Sequence, residues 1–142
     1  MTLEQVIYEA LTGSATVVAL VGDRIYPDWN EVPVTPDEMV ENFVVYQLES
    51  ETQDDVLEGL SGTFGDLMFT SVYSLTVAAR TSDQKAAIVN ACKDALYVRP
   101  ADSVLTVMNA RLSACRDETT EDLIAAGYRV RTLYWEFRWR KT

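Results

Sequence analysis

Apolar residues recur at helical spacing through the first 22 positions and alternate along most of the rest. Thr2 and Gln5 have the spacing of a capping box, in which each satisfies a free backbone group at a helix start. Val6, Ile7, Ala10 and Leu11 then share one helical face. Gly13 ends that helix and Ser14 caps a second, whose apolar residues are Val17, Val18, Leu20 and Val21. Gly22 can take the left-handed conformation that closes a helix. Asp23 and Arg24 satisfy the helix exit and anchor a turn with Tyr26, and Pro27 bars a return to helix.

After an irregular, acidic connection over 28–42 with Pro33 and Pro36, alternation predicts a strand from Phe43 to Glu51. Val44, Tyr46 and Leu48 fall on one face, and Phe43, Val45, Gln47 and Glu49 on the other. Its first half is apolar on both faces and its second half turns polar. Thr52 to Gly65, with three glycines and Asp54, Asp55 and Glu58, reads as a long loop, and long loops in compact domains tend to be functional. Asp66 to Arg80 is a second strand. Leu67, Phe69, Tyr73, Leu75, Val77 and Ala79 share its apolar parity, interrupted only by Ser71. Ser82 caps a helix running to about Tyr97, with Pro100 beyond its exit. Val104 to Arg116 is a third strand, 117–122 a polar turn, and Tyr128 to Arg140 the last strand, with Leu133, Trp135, Phe137 and Trp139 on one face. The order α-β-β-α-β-β predicts an α+β domain, a mainly antiparallel four-stranded sheet packed against helices.

These segments also carry a resemblance. The run LEQVIYEALTGSATVVALVGDRIYP (Leu3 to Pro27), then Val32-Pro33, FVVYQ (Phe43 to Gln47), VYSLTVAAR (Val72 to Arg80) and Gly127-Tyr128-Arg129 resemble, in order and spacing, the tail-completion family of tailed bacteriophages and prophages. The resemblance implies a structural virion protein. It would form a homo-oligomeric ring, a hexamer, at the head-proximal end of the tail, assembled in the host cytoplasm. It would end polymerisation of the tail tube protein as a tail terminator and join the tube to the head-tail connector protein. DNA would pass through the lumen without sequence-specific binding. An adaptor or stopper ring under the portal is the alternative, and a small carboxylate-dependent hydrolase or a monomeric binding module the readings from other classes.

The 142 residues fit one domain spanning the chain. A chain of this size buries roughly 70% of its unfolded surface, enough for a core without metals or disulfides. No apolar run approaches the roughly 20 residues that span a membrane, and no basic, signal-like start precedes an apolar stretch. The two cysteines, Cys92 and Cys115, read as small buried hydrophobes. The chain has no histidine, so the usual general base and the commonest zinc ligand are missing. No nucleophile-base pair is evident, and the expectation is a non-enzyme without cofactor or metal. The carboxylates of 49–58 lack EF-hand spacing, and the glycines of the loop lack the lysine of a phosphate-binding loop.

Charge is unevenly spread. The chain carries a net charge of -10. Residues 1–65 hold thirteen Asp and Glu against one basic residue, Arg24, whereas 66–142 hold nine acids against eleven bases. This asymmetry suits either two faces with different neighbours or a solvated acidic surface that aids solubility. The expected interface residues are Asp54, Asp55, Leu57, Glu58, Leu60 and Phe64 of the loop, and Trp135, Trp139, Arg138 and Arg140 of the last strand. Those aromatics fit a core under the helices or a subunit seam. The basic residues split between strand faces, which disfavours a duplex-binding surface. Glu49, Glu51, Asp54, Asp55 and Glu58 are the expected acidic wall of the lumen.

Overall fold

A computed structural model describes residues 2–32, 41–54, 68–97, 105–117, 123 and 125–141. The chain opens with α1 (Leu3–Thr12) and α2 (Ala15–Val21). The Thr2 hydroxyl accepts from the Gln5 amide at 3.2 Å while the Gln5 side chain accepts from the Thr2 amide at 2.8 Å, so the capping box forms. Ser14 caps α2, and Gly22 closes it at a φ of 62°.

Ile25–Tyr26 then forms a two-residue strand, β1, which pairs in parallel with β2 (Phe43–Asp54) at Val44 and Val45. The expected mainly antiparallel four-stranded sheet is therefore a five-stranded one, antiparallel except where β1 joins β2. Two residues between a closed helix and Pro27 are too few to show alternation, so the pattern carries no strand signal there. The four long strands are antiparallel throughout: β2, β3 (Met68–Ala79), β5 (Arg129–Lys141) and β4 (Leu105–Asp117), in the order β1-β2-β3-β5-β4. Between β3 and β4 runs α3 (Ser82–Leu96). Its cap is Thr81 instead of Ser82, the Thr81 hydroxyl accepting from the Gln84 amide at 3.1 Å.

The helices cover one face of the sheet, and the core lies between them. Val6, Ile7 and Leu11 of α1, Val17 and Val21 of α2, and Ile88, Cys92 and Leu96 of α3 pack on Val44, Tyr46, Leu75, Val77, Leu133 and Trp135. Each fully buried aliphatic side chain contributes about 1.5–3 kcal/mol. Burial pushes the Cys92 thiol up to about 12 and the Tyr73 hydroxyl to about 12, with the Glu4 carboxylate adding to the latter. Cys115 is free and exposed on β4, against the expectation of a buried residue.

On the outer face a smaller cluster of Phe43, Val45, Ala78, Leu123, Tyr128 and Val130 seals the end where β2 enters. Asn42 fastens this corner. Its Oδ1 accepts from the Arg80 amide at 2.9 Å and its carbonyl from Arg24 Nε at 2.8 Å. The Arg80 guanidinium lies 4.1 Å from the centre of the Tyr128 ring and donates to the Ala126 carbonyl. Gly127, at a φ of 88°, makes that approach possible, because a Cβ there would sit 3.1 Å from Arg80 Nη1.

Candidate functional site

The polar half of the sheet begins where β2 leaves the helices. Phe43 to Tyr46 are buried, and from Leu48, 45% exposed, to Gln53 the strand is exposed. A β-bulge marks the change. Leu48 pairs with Tyr73 and Ser50 with Val72, leaving Glu49 as the extra residue. Strict alternation would put Glu49 and Glu51 on one face. The bulge instead pairs Glu51 with Ser71, on the helix side, while Glu49 turns to Ser74 on the outer face. The two carboxylates therefore do not form a single wall. Each is held by a hydroxyl: Ser74 Oγ donates to Glu49 at 2.6 Å and Ser71 Oγ to Glu51 at 2.8 Å.

Ser71 is fully buried and also accepts from Trp139 Nε1 at 2.9 Å. The resulting chain, Trp139 to Ser71 to Glu51, fixes an exposed carboxylate to the aromatic layer. Trp139 stacks on Phe69 with ring centres 4.6 Å apart. Ser71 is the residue that interrupts the apolar parity of its strand, and that interruption was the available signal for this network.

The last strand divides its aromatics between two roles. Trp135 is 1% exposed and belongs to the main core, with the Tyr97 ring edge against it at 5.1 Å. Its Nε1 has no hydrogen-bond partner among the described residues, so packing alone holds the ring. Trp139 is half-buried at the far end, and Arg138 and Arg140 are exposed on the outer face. Beside them Arg111 of β4 lies 3.4 Å from Glu136. On the helix side, Arg131 and Lys85 both donate to Asp117, at 2.7 and 3.2 Å, and hold its carboxyl down at about 2.

Asp54 is the last residue of β2, paired with Met68, so the loop begins later than expected. Asp55, Leu57, Glu58, Leu60 and Phe64 lie outside the described residues. Among the described residues no group of three His, Cys, Asp or Glu is placed to hold a metal ion, and no helix is long and apolar enough to cross a membrane.

No protein-family model and no curated protein sequence matches the chain. A solved structure does. A chain of the "Virion of native gene transfer agent (GTA) particle" superposes with a TM-score of 0.70 at 19% identity, over 99% of this chain and 95% of that one. The likeness establishes that the two share a fold along nearly their whole lengths.

Proposed function

We propose that this protein is a structural component of a phage-type virion, a tail terminator with no catalytic role. It closes the head-proximal end of the tail tube as a homohexameric ring, ends tube polymerisation and joins the tube to the head-tail connector. DNA passes through the lumen without sequence-specific contact. The observation that carries this reading is the near end-to-end fold match with a virion chain. The order and spacing of the sequence segments that resemble tail-completion proteins agree with it. Rings form when one patch of a subunit binds a different patch on the next and the rotation closes. The acidic first half and basic-balanced second half provide two such patches.

The test is tail assembly with and without the protein. Tubes that lengthen without limit in its absence, and stop at a defined length when it is restored, are expected. Tubes of normal length that fail only to join heads would replace the terminator with an adaptor or stopper ring. Removing residues 57–63 is expected to leave a folded protein that no longer supports joining. Undiminished infectivity after that deletion overturns a joining role for the loop.

A further inference from the structure

We infer that subunits meet edge to edge, with the acidic free edge of β2 on one copy docked on the basic free edge of β4 on the next. This inference rests on the ring reading and specifies its seam. Among the described residues, β1 covers β2 only at Val44 and Val45, leaving the edge from Tyr46 to Asp54 unpaired, and β4 pairs on one side only, with β5. Exposed strand edges invite pairing unless bulges or charges select the partner. Both edges carry bulges, at Leu48/Ser50 on β2 and at Val107/Asn109 and Leu112/Ala114 on β4. Side chains therefore choose what docks there.

Their charges are opposite. The free stretch of β2 carries Glu49, Glu51 and Asp54 and no basic residue. Glu49 lies on the outer face, the one that Arg111 and Arg138 occupy, whereas Glu51 lies on the helix side. The β4 edge presents Arg111, 62% exposed, with Arg138 one strand inward. The two groups also lie at one height. Ser50 pairs with Val72, Val72 with Glu136 and Glu136 with Arg111, so a single rung across the sheet joins the acidic segment to the arginine.

Strand direction permits the same contact. With β2, β3, β5 and β4 antiparallel in turn, the two edge strands run in opposite directions. A copy rotated about an axis along the strands therefore sets its β2 antiparallel to the first copy's β4 at matching height. The competing two-fold pairing of like edges would put carboxylates against carboxylates, or arginines against arginines. Like-charge juxtaposition opposes it, and the head-to-tail seam is favoured.

The test uses two double variants of the full chain, Glu49→Lys with Glu51→Lys and Arg111→Glu with Arg138→Glu, followed by native mass spectrometry at low salt. Wild type should form rings, each variant alone should not, and an equimolar mixture should recover rings of alternating subunits. Rings from either variant alone, or none from the mixture, overturn the seam. Wild type that stays monomeric overturns the ring itself. If a reversal unfolds the chain, the neutral variants Glu49→Gln with Glu51→Gln and Arg111→Gln carry the test. Ring dissociation by salt should then lose its steepness, and an unchanged salt response overturns the seam.

Discussion

The two halves of β2 are one strand under two sets of demands. From Phe43 to Tyr46 every side chain is buried, the helices on one side and the Phe43–Tyr128 cluster on the other. From Leu48 to Gln53 every residue is exposed, and the contacts are hydroxyl-to-carboxylate bonds. The first half is stabilised by apolar area. The second is ordered by a few polar contacts and keeps charges facing outward. The contrast teaches that stability and recognition are separated along the strands, so each can be perturbed with little effect on the other.

The largest effect should come from the buried half. Trp135→Ala is expected to cost about 3–5 kcal/mol in denaturant unfolding, whereas Leu48→Ala, on the exposed half, should stay within about 0.5 kcal/mol. Comparable losses at the two sites would erase the contrast. Asn42→Ala comes next. It leaves the Arg80 amide at a part-buried site without its acceptor, at about 1–3 kcal/mol, and protection of that amide against hydrogen exchange should fall. Ser71→Ala should cost about 1 kcal/mol and free Glu51 and Trp139 together, seen as a change in tryptophan emission. Unchanged emission would show that the serine does not couple the two.

The smallest effect concerns Asp117. Its carboxyl titrates at about 2, held down by Arg131 and Lys85, against about 4 in an unfolded chain. The stabilisation is thus present above about pH 4 and fades as pH falls through about 2. Asp117 is exposed, so solvent screening limits the contribution to under about 1 kcal/mol. Stability profiles of wild type and Asp117→Asn should differ near neutral pH and converge in acid.

Much of this architecture is legible in residue order. The capping box of Thr2 and Gln5, the stop at Gly22, and the alternation of β3 and β5 each act locally, and each element appears where those signals place it. Pro27, expected to bar a return to helix, is followed by a single 3-10 turn at Trp29–Glu31. The alternation of Phe43 to Leu48 likewise foretells the doubly buried start of β2. What escaped was set by pairing. β1 exists because β2 offers it two residues of edge, and the separation of Glu49 from Glu51 exists because β3 pairs out of step with β2 at Leu48. Asn42 shows no local sign of its role, since its partners come from Arg80 and Arg24, far away in sequence. Trp135 and Trp139 share a parity, and only the extent of helix cover distinguishes the buried ring from the half-buried one.

The bulge at Glu49 confines one extra unit of chain length to a single point of β2. Removing Glu49 would leave Leu48 opposite Tyr73 and Ser50 opposite Val72 in unbroken register, so Ser50 to Asp54 would keep their partners and their faces. Composition would hardly change, and an alignment would record a one-letter gap. Yet the outer face would lose the carboxylate that Ser74 holds, while Glu51 kept its place opposite Ser71.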